Sequence, residues 1–200
     1  MRHHYQVIHR QDLSRDELKQ LARYRYQVFV ERLGWQLPCD QEAGEELDQF
    51  DELADVHYVL RWDPTGRITG CARLMPAEGP SVSRMLFPDL FTYRPLPTKL
   101  GAWELSRLAA DRDSGDIVSG VIALLDVVLS FAEQKEITDL YGVTYAAMQT
   151  SWARMGFDIE PAGETTESDR HRILGCHMKV TPSLKRAGFR RPTTITVCHL

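Results

Sequence analysis

The stretch that most limits what this chain can fold into is Gly101-Ala102-Trp103-Glu104-Leu105-Ser106-Arg107-Leu108-Ala109-Ala110. It is apolar apart from one carboxylate, one hydroxyl and one guanidinium. Burying an ionised Glu or Arg is costly unless it is paired. An apolar strand that keeps both is therefore either a structural ion pair or a site. In a regular strand Glu104 and Ser106 face one way, and Trp103, Leu105 and Arg107 the other. Glu104 and Arg107 then share a pocket only if the strand is bulged or splayed. As a helix, the segment would make them i,i+3 neighbours on a surface.

The order of elements around this segment predicts an α/β fold in one domain over residues 1–200. Tyr5 to His9 reads as a strand. Ser14 and Glu17 form a capping box, and Leu18, Leu21, Tyr24, Val28 and Phe29 carry a helical stripe that stops near Gly34. Residues 36 to 55 are polar and acidic without a clear period, a long loop of a kind that is either functional or mobile. Val56 to Trp62 and Arg67 to Met75 flank the turn Asp63-Pro64-Thr65-Gly66 and predict a hairpin. Residues 76 to 100 predict a second ordered loop with a short helical turn. After the central strand come a strongly apolar helix from Asp116 to Lys135, a strand from Thr138 to Tyr145 and a helix from Ala146 to Met155. Strands are expected at Phe157 to Pro161, Arg172 to Val180 and Thr193 to His199, with a short helix at Ser183 to Ala187. One mixed sheet covered by helices fits this order.

Composition narrows the partners. The formal charge is −4, which argues against nucleic acid. The basic tail, with Lys179, Lys185, Arg186, Arg190 and Arg191, reads as a solvated face or a seat for an acidic partner. Cys39, Cys71, Cys176 and Cys198 lack CxxC spacing, and the N-terminus is no signal peptide. Both point to free thiols in a reducing, cytoplasmic setting. The longest apolar run, Ile117 to Ala132, is interrupted by Asp126 and too short to span a bilayer. His171, Cys176 and His177 lie close together but have no fourth ligand at usable spacing, so no metal and no cofactor is expected.

Charged residues from separate elements suggest a polar cleft. The first helix brings Arg25, the loop after it Asp48 and Asp51, the hairpin Arg73, and the central strand Glu104 and Arg107. As one network these six are charge-balanced and suit a zwitterionic ligand. Arg112-Asp113-Ser114-Gly115 opens the apolar helix after a strand, where free amides and the helix dipole favour phosphate. It half-matches the Arg/Gln-x-x-Gly-x-Gly/Ala loop of acetyltransferases, with Ile117 in place of the second small residue; Ser114 as an N-cap explains it equally well.

An ordered set of fragments carries a resemblance. They are Arg25-x-x-x-Phe29, Leu33-Gly34-Trp35, Asp48-x-Phe50-Asp51, Gly70-Cys71-Ala72-Arg73-Leu74, Phe87-Pro88 and Trp103-Glu104-Leu105-Ser106-Arg107. The chain from Arg25 to about Gly156 resembles the acyl-homoserine-lactone synthases, which make quorum-sensing autoinducers. The resemblance implies a single mixed, splayed β-sheet flanked by helices, an acetyltransferase-like α/β/α sandwich. It implies two substrates, S-adenosyl-L-methionine and an acyl thioester on acyl carrier protein or coenzyme A. Glu104 and Arg107 map to catalytic positions. Phe29 and Trp35 would wall the adenosylmethionine pocket, and Arg25, Asp48, Asp51, Arg73 and Arg107 would order the N-terminal loop. Thr144, Met148 and Trp152 fall where the acyl chain is expected. Arg112, Gly115, Arg154, Lys185 and Arg186 are the expected docking residues for the carrier or the pantetheine arm. Leu108 departs from the family's usual Phe, and Thr150 stands where some members have a Lys. Two other readings stay open: an N-acetyltransferase-like enzyme using acetyl-coenzyme A on another amine, and a non-catalytic relative that binds a ligand.

Overall fold

The computed structural model describes residues 3–111, 117–168, 171–180 and 195–197. The chain divides into two compact units. The first comprises Met1–Arg73, Arg107–Val128 and Arg191–Leu200, the second Leu74–Ser106 and Leu129–Arg190. Strands β3 and β4 and helix α3, whose ranges follow, each begin in one unit and end in the other.

In the first unit, strand β1 (His4–His9) pairs antiparallel with β2 (His57–Trp62) from His4↔Trp62 to His9↔His57. Helix α1 (Arg15–Arg25) opens on the expected capping box: the Glu17 amide donates to Ser14 Oγ at 3.2 Å and the Ser14 amide to Glu17 Oε2 at 2.9 Å. Its buried face is Leu21, Ala22, Tyr24 and Arg25. The helix does not run on as a plain α-helix. Residues Tyr26–Arg32 form a π-helical stretch, a departure that the apolar stripe did not reveal. Widening displaces the usual backbone bonds, and the Trp35 amide returns to the Phe29 carbonyl at 2.9 Å. Just before this stretch, the Ala22 carbonyl accepts the Glu46 amide at 3.0 Å beside that of Tyr26. The helical path ends as expected at Gly34, whose φ of +71° is one glycine adopts at little cost.

The hairpin forms as predicted. β2 leads through the Asp63–Gly66 turn to β3 (Ile68–Pro76). Asp63 Oδ1 accepts the amides of Thr65 and Arg67 at 2.8 and 3.1 Å and sets the turn. β9 (Ile195–Val197) lies parallel to β1 in the register Tyr5↔Ile195, inside the span expected for the last strand.

In the second unit the loop after β3 holds helix α2 (Val82–Leu86) and a 3₁₀ turn, Pro88–Leu90. β4 (Ala102–Ala110) enters parallel to β5 (Asp139–Tyr145), with pairs Ala102↔Asp139, Trp103↔Leu140 and Glu104↔Tyr141. Both strands continue past the last of these pairs, as expected of splayed strands. α3 (Ile117–Gln134) precedes β5. A 3₁₀ turn, Ala146–Met148, leads into α4 (Gln149–Arg154) where one helix was expected. β6 (Ile159–Pro161), β7 (Thr166–Ser168) and β8 (His171–Lys179) complete the set, with β8 antiparallel to β5, β6 and β7. Sequence pattern missed β7, whose three residues include no apolar one. The core here is Ala77, Leu90, Phe91, Ala102, Tyr141, Ala162 and Ile173. The expected helix at 183–187 lies outside the described residues.

Candidate active site

Three arginines and three acids meet inside the first unit. Arg25, at the end of α1, grips Glu46 with Nε and Nη2 at 2.6 and 2.9 Å and reaches Asp51 Oδ1 with Nη1 at 2.8 Å. Arg73, on β3, donates to Asp48 at 2.6 and 3.1 Å and to Asp51 at 2.8 Å. Arg107 donates to Glu46 at 2.9 and 3.3 Å and to Asp48 at 2.8 Å. Tyr58 adds a hydroxyl to Asp51 Oδ1 at 2.6 Å, and the Asp48 amide donates to Asp51 Oδ2 at 2.7 Å. Arg25, Glu46, Asp51 and Arg73 are fully buried.

Such pairing is what makes burial of charge tolerable. Burial alone pushes the Asp51 carboxyl up. The Arg25 and Arg73 guanidiniums outweigh it and hold Asp51 well below the carboxylate range. Glu46 is lowered in the same way, with Arg25 and Arg107 outweighing burial. Burial, and then the Asp51 charge, push the Tyr58 phenol up.

The network continues into an aromatic wall. The Arg107 guanidinium lies 5.6 Å from the Phe29 ring centroid, and Phe29 stacks on Trp35 at 4.8 Å with 29° between planes. Sequence placed Arg25, Phe29, Trp35, Asp48, Asp51, Arg73 and Arg107 in one region, and the first unit brings them together. Arg107 achieves this with a φ of +51°, the left-handed region that a bulky residue enters only at a cost. The alternation of β4 breaks there: Ala102 and Glu104 are buried, 105–108 half-buried, and Ala109 and Ala110 both buried. The regular two-faced alternation fails at Arg107, but Glu104 and Arg107 serve different partners.

One assignment changes. The sequence reading made Glu104 the third acid of the network, but Glu46 fills that place. Glu104 belongs to the second unit. It is 1% exposed, and its two oxygens accept the amides of Val82 at 3.1 Å and Ser83 at 2.7 Å. A carboxylate, acceptor on both oxygens, matches two N–H donors.

Of the acyl-chain candidates, Thr144 Oγ1 accepts the indole N–H of Trp152 at 3.2 Å, and Met148 ends the turn before α4. Arg154 is exposed at the end of α4. Arg112, Gly115, Lys185 and Arg186 lie outside the described residues. The grouped His171, Cys176 and His177 have separate neighbours: His171 packs on Tyr145, Cys176 donates to the Gly142 carbonyl, and His177 lies against Phe91 and Tyr141.

The family model described as autoinducer synthase matches residues 9–187. This chain belongs to that family. The acyl-homoserine-lactone synthase of Acinetobacter nosocomialis is 36% identical over 165 residues, 78% of this chain and 88% of that one. TofI, solved in a ternary complex with an inhibitor and MTA, matches with a TM-score of 0.79 at 32% identity, covering 94% of this chain and 96% of its own. BjaI, a CoA-dependent acyl-homoserine lactone synthase solved with SAM and isopentyl-CoA, matches in fold with a TM-score of 0.85 at 23% identity, covering 98% and 93%. The fold is the acetyltransferase-like α/β/α arrangement, a mixed sheet flanked by helices. As an autoinducer synthase the chain is an acyltransferase. Within the synthase, Glu46 and Tyr58 are the network members that sequence reasoning missed. Glu46 sits in an unpatterned acidic loop beside Glu45, and what distinguishes it is tertiary: its amide bonds to Ala22 and its carboxylate meets Arg25 and Arg107. Among the described residues no helix is long and apolar enough to cross a membrane.

Proposed function

We propose that this synthase makes an N-acyl-L-homoserine lactone from S-adenosyl-L-methionine and an acyl thioester, releasing methylthioadenosine. The observation that carries the reading is Glu104, a buried carboxylate at the last registered pair of β4 and β5 in a chain of this family. The methionyl amine attacks the thioester carbonyl. An amide forms, the carbon–sulfur bond breaks and the thiol leaves. The amine must first be neutral, and Glu104 takes its proton directly or through a water. The methionyl carboxylate oxygen then displaces methylthioadenosine at the γ-carbon and closes the lactone. Sulfonium is already a good leaving group, so this step asks mainly for alignment.

Phe29 and Trp35 wall the place of the sulfonium amino acid. Arg25, Asp48, Asp51, Arg73 and Arg107, with Glu46, order the loop that covers it. Thr144, Met148 and Trp152 receive the acyl chain. Arg112, Gly115, Arg154, Lys185 and Arg186 serve the donor's phosphates or an acidic carrier, and acyl carrier protein is the donor we favour over acyl-coenzyme A.

The test is incubation with S-adenosylmethionine and each acyl donor, reading thiol and methylthioadenosine together. Equal release of both is expected. Thiol without methylthioadenosine means an N-acyltransferase acting on another amine; neither product with any donor means a ligand-binding relative. For the donor, Arg154→Glu raises KM for the carrier-bound substrate, added salt does the same, and KM for acyl-coenzyme A does not move. Equal changes for the two donors would rule out carrier docking there.

A further inference from the structure

Two neighbouring strands of the second unit grip one short turn. Glu104 on β4 and Tyr141 on β5 are register partners in a parallel pair, so their side chains leave the same face of the sheet. Glu104 holds the amides of Val82 through Oε1 and of Ser83 through Oε2. Tyr141 reaches the residue before them: its hydroxyl donates to Ser81 Oγ at 3.3 Å. Ser81 is the N-cap of α2 and also accepts the Arg84 amide at 3.4 Å. Ser81, Ser83, Glu104 and Tyr141 are at most 2% exposed. The Tyr141 ring is itself fixed, edge-on to Phe91 at 6.3 Å and tilted beside His177 at 6.1 Å.

This arrangement determines where the carboxylate points. A side chain bonded through both oxygens to two successive amides takes its plane from the turn that carries those amides. If the turn shifts, the carboxylate rotates with it. A general base works only within hydrogen-bond reach of the proton it takes. Ser81 caps, and Ser83 lies on, a five-residue helix, too short to hold its own first turn in place. The phenol of Tyr141 ties that turn to the sheet.

We propose that Tyr141 is a positioning residue: through Ser81 it fixes the 81–83 turn and so aims the Glu104 carboxylate at the amine. The proposal rests on Glu104 being the base. Tyr141 touches no substrate in this role, and its phenol stays protonated; burial pushes its pKa up to about 12. The charged groups acting on it, Glu104, Arg84 and Glu78, are left intact by Tyr141→Phe.

The test uses Tyr141→Phe, Glu104→Gln and the double variant in the full chain, reading methylthioadenosine release. Tyr141→Phe keeps the ring and its packing and loses one hydrogen bond. Its kcat is expected to fall about tenfold, with KM for both substrates within about twofold of wild type. The double variant should be no slower than Glu104→Gln alone, because a residue acting through Glu104 has nothing left to aim. Ser81→Ala should reproduce the fall, and Tyr141→Phe added to it should cost nothing more. Losses that multiply in the Glu104→Gln background would overturn the proposal, as would wild-type turnover in Tyr141→Phe beside a slow Glu104→Gln. A wild-type rate for Glu104→Gln would instead remove the base assignment itself, and this proposal with it.

Discussion

The two units hold their buried carboxylates differently. In the first, Glu46, Asp48 and Asp51 are met by Arg25, Arg73 and Arg107, charge against charge. In the second, Glu104 is met by the backbone amides of Val82 and Ser83. The consequences differ too. A carboxylate offers about four acceptor positions. Asp51 uses them on Arg25, Arg73, Tyr58 and the Asp48 amide. Its Oδ1 is crowded by three donors, and the carboxyl is held far below the ordinary range and unfit to take a proton. Asp51 is therefore placed as a structural acid, whereas the acid proposed above as the base is the one bound by dipoles.

The sharpest way to break this contrast is to remove the charge of the acid in one unit and a cationic partner of the acids in the other. Glu104→Gln should keep the fold and lower turnover by about 10²- to 10⁴-fold, measured as methylthioadenosine release; an unchanged rate would take the base role away from Glu104. Arg73→Ala should act the other way. It leaves Asp48 and Asp51 short of a partner in a buried place, and losing one member of a buried ion network costs about 3–5 kcal/mol. A denaturant midpoint close to wild type would show that the network is not holding the first unit together.

Acid should separate the units with less force. Asp51 and Glu46 have folded pKa values below their unfolded ones, ordinarily about 4. Their contribution to stability is present in full above that value and is lost as the pH falls through their folded pKa values. The guanidiniums stay protonated throughout and add no dependence in this range. The network's contribution to stability, read as the difference between wild type and Arg73→Ala in thermal unfolding, should be flat from neutral pH to about 5 and then decline. A decline that begins near neutrality would point to groups outside the network.

Much of this was legible in the residues. Ser14 with Glu17, the Asp63–Gly66 turn and the apolar run of α3 are local signals, and local signals place local structure. Arg25, Arg73 and Arg107 were legible because a charged residue inside an apolar or patterned element has to be explained, and Asp48 and Asp51 because they flank Phe50 in a fragment that carries the family resemblance. Glu46 was hidden for the opposite reason: it stands in an acidic loop where one more acid says nothing. The π-helical stretch Tyr26–Arg32 was hidden because Val28 and Phe29 fit an α-helical stripe as well as a wider one. Tyr141 and Ser81 looked like core and loop, since a hydroxyl pair formed across 60 positions leaves no periodic trace.

The smallest predicted effect tests how rigid the second unit is beside Glu104. A Cβ at Gly142 would lie 2.5 Å from the Leu105 carbonyl oxygen, a backbone atom next to Glu104 that can move only with its strand. In the first unit a Cβ at Gly70 would meet the Leu124 Cδ1 methyl at 3.0 Å, which can turn away, and the Ala109 carbonyl oxygen and Arg61 Cβ no closer than 3.2 Å. Overpacking costs about 1–3 kcal/mol where the surroundings cannot give. Gly142→Ala should therefore be the more destabilising of the two, and Gly79→Ala, with nothing within 4 Å, should be close to neutral by comparison. Chemical denaturation of the three variants side by side reads the order directly. Were Gly142→Ala as mild as Gly79→Ala, β4 would be free to yield at Leu105, and the rigid seat claimed for its neighbour Glu104 would have to be given up.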